Sequence, residues 1–196
     1  MRNVGIVIAV ILIALLVVMI PSINNIPKYD EAVKASWSQV LNQYKRRSDL
    51  VPNLVSTVKG YAAHEEKVLV EVTKARSAVA QMTISKDILN DKAAFAQFQS
   101  KQNELSSALS RLLVTVEKYP DLKANQNFVM LQSQLEGTEN RISVARRDYI
   151  QAVQIYNTEL RTFPGRLWHM MLYSDMKLYE TFSVDEATQR VPEVNF

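Results

Sequence analysis

Two hydrophobic patterns divide the chain. Val4 to Ile20 is an unbroken apolar run of 17 residues. As a helix it would span ~25 Å, at the short end of what crosses a bilayer core. It is longer than the hydrophobic region of a signal peptide and no A-x-A cleavage site follows, so the reading is an uncleaved membrane anchor bounded by Val4 and Ile20. Gly5 is its only glycine, which leaves no GxxxG pairing motif. Pro21 and Ser22-Ile23-Asn24-Asn25 end the run.

After Pro27 the apolar residues recur at steps of four and three. One series is Val33, Trp37, Val40, Tyr44, Arg47, Val51, Leu54, Val58 and Tyr61; a second is Val68, Val72, Ala75, Val79 and Met82. A third runs Phe95, Phe98, Gln102, Leu105, Leu109, Leu112, Val116 and Tyr119, and a fourth from Phe128 through Leu135, Thr138, Ile142 and Tyr149 to Tyr156. A sustained 3.5-residue period predicts helices packed nearly side by side. Gly60 and His64, the polar stretch Thr83 to Asp91, Tyr119-Pro120-Asp121 and Phe163-Pro164-Gly165 are the breaks, with Asp91 placed to cap the third helix. Pro52 lies inside the first series without disturbing it, which predicts one helix through the proline rather than a new helix capped by Asp49.

The expected fold is therefore all-α: an N-terminal transmembrane helix followed by an antiparallel four-helix bundle with long first and fourth helices. The expected organisation is an anchor over 1–25, a bundle over 26–164, and a C-terminal amphipathic segment and tail over 165–196. Arg2 with the terminal amine, against Lys28 and Lys34 flanking Asp30 and Glu31, leans toward an internal N-terminus and a bundle on the extracytoplasmic side.

Composition narrows the function classes. Four glycines and six prolines in 196 residues argue against an all-β fold. With no cysteine there is no disulfide, zinc-thiolate site or lipoprotein anchor. A net charge of +3 does not point to nucleic acid, and Lys45-Arg46-Arg47 and Arg146-Arg147 are interrupted by acidic residues and apolar seams. Neither His64 nor His169 belongs to an H-E-x-x-H or Glu-x-x-His pattern, and nucleophile-elbow and phosphate-loop motifs are absent. No cofactor, metal or catalytic residue is expected, and the reading is not an enzyme.

The segment from Trp37 to Glu65 resembles the LemA family of bacterial membrane proteins. Arg46, Arg47, Asp49, Leu50, Pro52, Asn53, Leu54, Val55, Val58, Lys59, Gly60 and Tyr61 carry the match. Further matches are Tyr119 to Phe128 and the ordered series from Leu131-Gln132 through Glu139-Asn140-Arg141-Ile142 to Phe163-Pro164. Ile150 departs from the usual asparagine, and Gly165 to Tyr173 is richer in aromatic and methionine residues than the family pattern; Val191 to Phe196 is similar to the family's ending. The resemblance implies a single-pass protein of the bacterial inner membrane with a helical bundle and no established chemistry. Family members near genes for membrane proteases or envelope-quality factors suggest such proteins as partners.

Three structural expectations follow. Arg47, Gln102 and Thr138 occupy otherwise apolar seams at similar heights, which predicts a polar layer with Glu139 as counter-charge. An even number of helices returns the chain to the membrane, so Arg166 to Tyr179, with Leu167, Trp168, Met171, Tyr173 and Tyr179, is expected to lie at the bilayer interface. The second helix is too short to cover the whole length of the first and fourth. A stripe containing Trp37, Tyr44, Tyr149, Tyr156 and Phe163 therefore needs cover; the tail after Pro164 could give it within the chain, but the favoured expectation is that neighbouring copies do, in a homo-oligomer. The function read from these features is a membrane-anchored scaffold or adaptor of the envelope that acts through protein–protein and self-association. The alternatives are a hydrolase with an unrecognised site, a regulator of a membrane protease, or a lipid-binding membrane-remodelling module.

Overall fold

A computed structural model describes residues 21–62, 64–82 and 88–183, with Ile6, Ile13, Val17 and Met19 before them. Most of the Val4–Ile20 run, positions 83–87 and the ending Val191 to Phe196 lie outside the described residues. Among the described residues no helix is long and apolar enough to cross a membrane.

The described fold is all-α. Its elements are α1 (Asn25–Lys59), α2 (Glu66–Ala80), a 3-10 turn (Ile88–Asn90), α3 (Lys92–Val116), α4 (Pro120–Lys123), α5 (Gln126–Arg161) and α6 (Gly165–Leu172). Local chemistry sets several boundaries. Asp91 Oδ1 accepts from the Ala93 and Ala94 amides and Asn125 Oδ1 from Asn127 and Phe128, satisfying N–H groups left open at the starts of α3 and α5. α1 continues through Pro52, so Asp49 begins no separate helix.

Cross-helix contacts fix the directions. Asn25 meets Glu159, Arg47 meets Glu139 and Tyr61 meets Asn125, so α1 and α5 run antiparallel along their full length. Glu71 pairs with Arg111 and Glu65 with Tyr119, which makes α2 antiparallel to α3. The heptad seams face inward, and the buried residues form two apolar clusters stacked along the bundle axis. The upper one joins α1 from Val51 to Val58, α2, the second half of α3 and the first turns of α5. The lower one is aromatic. Trp37 lies 5.7 Å from Phe95, 5.1 Å from Phe98 and 5.3 Å from Tyr149, measured between ring centroids.

α2, at 15 residues, covers only the upper half. The lower half is closed by the Ile88–Asn90 turn, whose Ile88 and Leu89 are buried, and by the chain after α6. There, residues 176–183 run as an extended strap against α5 and insert Phe182 among Trp37, Phe95 and Tyr149. This corrects the expected oligomer stripe. Trp37, Tyr44, Tyr149 and Tyr156 are buried within the single chain, and of that set only Phe163, at 74% exposed, faces outward. The tail after Pro164, the other cover open to that stripe, supplies what α2 is too short to give.

Candidate functional site

Between the two clusters lies the polar layer. Arg47 is 1% exposed. Its guanidinium donates to the Glu139 carboxylate at 3.0 Å, to the Gln102 carbonyl oxygen at 3.1 Å, and to the Gln102 side-chain oxygen and the Ser106 hydroxyl. It also stands 5.0 Å from the centroid of the Tyr44 ring, within cation–π range. The structure thus brings Arg47, Gln102 and Glu139 together but leaves Thr138 out. Thr138 is buried, yet its hydroxyl donates to the Gln134 carbonyl one turn back at 2.7 Å, the local bond available to a threonine in a helix. Ser106 was missed by reasoning from seams; its position four residues after Gln102, on the same face of α3, was the available signal.

At the base of the bundle, where the Val4–Ile20 segment joins through Pro21 and Ser22, α6 lies beside the start of α1. Trp168 Nε1 donates to Ser22 Oγ at 2.7 Å, and Ser22 in turn donates to the Met19 carbonyl. Gly165 is buried against α5, where a Cβ would lie 2.2 Å from the Glu159 carbonyl oxygen, so only glycine lets α6 approach this closely. His169 contacts the Met176 carbonyl at 2.8 Å. The other side of α6 is apolar and faces away from the bundle. Met170 is 68% exposed, Met171 66% and Leu172 55%, next to exposed Phe163. A helix docked on a water-soluble bundle normally has the reverse polarity.

The expected interfacial stretch therefore divides by face and by position. Leu167 is half-buried in α6 and Met171 faces outward, whereas Trp168, Tyr173 and Tyr179 pack against the lower cluster. The division has a polar cause. Turn residues Ser174 and Asp175 redirect the chain, and Asn157 of α5 then binds Tyr179 through both backbone groups, at 2.9 and 3.0 Å.

The strap is held chiefly by side chains that grip its backbone. Tyr149 donates to the Glu180 carbonyl at 2.7 Å and Tyr156 to that of Lys177 at 3.2 Å. Asn90 donates to Leu178 and Gln99 to Ser183, while the Glu180 amide donates to the Leu89 carbonyl at 2.7 Å. The Tyr179 hydroxyl donates to Asp30, a buried carboxylate that also pairs with Lys34 at 2.7 Å. Burial raises the phenol pKa values of Tyr149, Tyr156 and Tyr179 above their ordinary range; Glu180 adds to the effect at Tyr149, and Asp30 at Tyr156 and Tyr179. All three therefore stay neutral donors at physiological pH. Sequence reading missed Asp30, because two adjacent acids, Asp30 and Glu31, just before the first apolar seam residue look like a solvated face.

Beside the strap is a polar cleft of about 740 Å³ lined by Asp30, Asp91, Asp175, Lys34, Lys92 and Lys177. Three carboxylates face three ammonium groups, so the cleft selects neither sign of charge. Among the described residues, no cluster of three His, Asp or Glu side chains is arranged to hold a metal ion.

Comparison with known proteins finds relatives along most of the chain. The chain is 22% identical over 156 residues to Protein LemA of Metamycoplasma hominis, covering 80% of this chain and 65% of that protein. It is 24% identical over 177 residues to Magnetosome protein MamQ 2 of Paramagnetospirillum magneticum, covering 82% and 64%. Magnetosome protein MamQ of Magnetospirillum gryphiswaldense matches at 23% over 169 residues, covering 78% and 62%. The chain thus spans a little under two thirds of the length of these curated relatives. The family model for the LemA family matches residues 36–196, and the chain belongs to that family.

Proposed function

We propose that this protein is a membrane-anchored helical scaffold of the bacterial envelope that presents a rigid bundle to protein partners, including copies of itself. In this reading Val4–Ile20 crosses the inner membrane once and the bundle stands on the extracytoplasmic side. The outward face of α6 rests in the interfacial layer beside the anchor.

The observation that carries the reading is the inverted polarity of α6. Phe163, Met170, Met171 and Leu172 form an exposed apolar edge at the end of the bundle that the Val4–Ile20 segment enters. Methionine and leucine side chains gain by leaving water for the acyl boundary, and Arg161 and Arg166 stand where their cations meet headgroups. The Trp168–Ser22 bond ties the α6 edge to the anchor, so both meet the bilayer at one level. Family membership supports membrane association at a coarse level. Self-association would use surfaces other than the buried lower aromatics. A membrane protease or envelope-quality factor is the partner class proposed.

The test uses single cysteines in the otherwise cysteine-free full-length chain, reconstituted in lipid vesicles. Met171→Cys should react with a membrane-impermeant thiol reagent far more slowly than Val114→Cys near the distal end of α3. Equal rates would overturn the membrane-docked base. Crosslinking and pull-down from native membranes then tests the adaptor reading, which fails if neither a partner nor a second copy is captured.

A further inference from the structure

We propose that the exposed edge of α6 binds anionic phospholipid, so that headgroup charge, and not apolar burial alone, decides whether the base of the bundle docks. The proposal rests on the membrane-docked base above and names the lipid class it selects.

Charge is segregated at this end of the chain. Residues 21–28 and 160–172, which form the base, contain Lys28, Arg161 and Arg166 and no Asp or Glu. The Val4–Ile20 segment that joins them has no acid either. The nearest carboxylates are engaged or lie beyond a turn. Asp30 is buried with Lys34 and Tyr179, and Glu159 accepts from Asn25 at 3.4 Å. Asp175 follows the turn after α6 and lines the polar cleft with Lys34 and Lys177. Lys28, Arg161 and Arg166 are exposed, and none of them forms an ion pair among the described residues.

Helix position separates the two arginines. Arg161 lies in the last turn of α5, where open carbonyls favour a cation. Arg166 has no such reason, because it is the second residue of α6, at the end of a helix that disfavours positive charge. Met170 is four residues further on along the same face, followed by exposed Met171 and Leu172. One face thus carries a cation and an apolar cluster together. Water suits the cation but not the methionines, and hydrocarbon does the reverse. The interface of an anionic bilayer suits both, with methionines at the acyl boundary and the guanidinium forked on phosphate oxygens. A zwitterionic leaflet also offers phosphates, but each comes with an ammonium, so no surface potential draws the three cations in.

The edge is held ready for this contact. The Trp168–Ser22 bond and the close approach at Gly165 fix α6 beside the anchor, so docking orders little that is not already ordered. A cation near an anionic leaflet gains roughly fivefold in binding, so the two arginines together should shift the docking equilibrium on the order of twentyfold at low salt.

The test uses the full-length Met171→Cys chain in vesicles of phosphatidylcholine alone or mixed with phosphatidylglycerol. An uncharged, membrane-impermeant polyethylene-glycol maleimide reads exposure, and Val114→Cys in the same vesicles normalises the rate. Labelling of Met171→Cys should be on the order of tenfold slower with phosphatidylglycerol at low salt. Most of that difference should vanish at high salt and in an Arg161→Gln/Arg166→Gln background. Both arginines are exposed, so the double variant should keep the helical dichroism of the parent. Equal protection in the two lipids would overturn the anionic preference and leave the docked base standing. No protection in either would overturn both. Charge-dependent protection that survives the double substitution would overturn the assignment to Arg161 and Arg166. Protection that rises with protein density and not with phosphatidylglycerol would give the edge to a neighbouring copy and likewise overturn the proposal.

Discussion

Arg76 of α2 donates its Nε–H to the carbonyl oxygen of Ser48 in α1 at 3.0 Å, and Ser48 lies four residues before Pro52. Proline has no N–H to give that carbonyl, and its ring crowds the same oxygen. An open acceptor therefore sits mid-helix, where the neighbouring helix supplies its donor. α1 passes through the proline unbroken, and α2 is bonded to it where the helix is weakest.

The pair gives a double-mutant cycle. Arg76→Ala should cost about 1.5–3 kcal/mol, the range for a hydrogen bond with a charged donor. In a Pro52→Ala background, alanine restores the helical N–H and the same change should cost much less. Urea unfolding of the four proteins measures the coupling, and additive costs would show that Arg76 acts through packing alone.

The Arg47 layer predicts an asymmetry. Replacing Gln102 by leucine removes one charge-assisted hydrogen bond from a buried guanidinium and should cost roughly 1.5–3 kcal/mol. Replacing Arg47 itself by methionine removes the charge and keeps much of the volume, and should be close to neutral or stabilising. What Arg47→Met should lose is a unique register between α1, α3 and α5, read as broadened amide resonances or a shallower thermal transition. If Arg47→Met costs more than Gln102→Leu, the layer is a source of stability rather than of register.

The period of apolar residues carried most of the architecture. Val33 to Val58 and Phe95 to Val116 are the buried seams of α1 and α3, and Arg47 in such a seam already signalled a paired charge. At the end of α5 the pattern shifts, so that Val153 is buried where Ala152 is only partly so. The strap was not legible. Residues 176–183 are too few and too irregular to show a period, and bonds from side chains to a backbone leave no mark on the strap's own sequence. The shortness of α2 was legible: it located the uncovered half around Trp37, Tyr149 and Tyr156, and left the tail after Pro164 and a neighbouring copy as the two candidate covers.

The strap should hold around neutrality and loosen at alkaline pH. Tyr149, Tyr156 and Tyr179 have phenol pKa values raised above their ordinary 10.0, by burial first and then by Glu180 or Asp30. A pKa higher in the folded state means their contribution is complete below about pH 10 and declines as pH rises beyond it. The acids facing them are Asp30 from α1 and Asp175 and Glu180 from the strap side, with Lys34 beside Asp30. Hydrogen exchange at the Tyr179 and Glu180 amides, corrected for intrinsic rate, should be flat around neutrality and rise above about pH 10. Exchange that begins to rise well below pH 10, or stays flat far above it, would contradict this.

Gly165→Ala should detach α6 while leaving the bundle intact. The added methyl would sit 2.2 Å from the Glu159 carbonyl oxygen, and relief by backbone movement costs ~1–3 kcal/mol. Faster exchange of the Leu167 and Trp168 amides, with those of α1 and α5 unchanged, is the expected result. Unchanged α6 protection would show that the contact relaxes freely.

The central claim, that the base of the bundle rests in the bilayer, is tested most directly by Trp168 fluorescence. The chain has two tryptophans, and Trp37→Phe leaves Trp168 as the only tryptophan, excited selectively at the red edge where tyrosine does not absorb. That variant of the full-length protein should be reconstituted in vesicles with bromine atoms at graded depths along the acyl chains. We expect strong quenching by bromines near the headgroups and weaker quenching by deeper ones. Emission untouched by bromine at every depth would keep Trp168 and α6 away from the acyl chains and contradict the account.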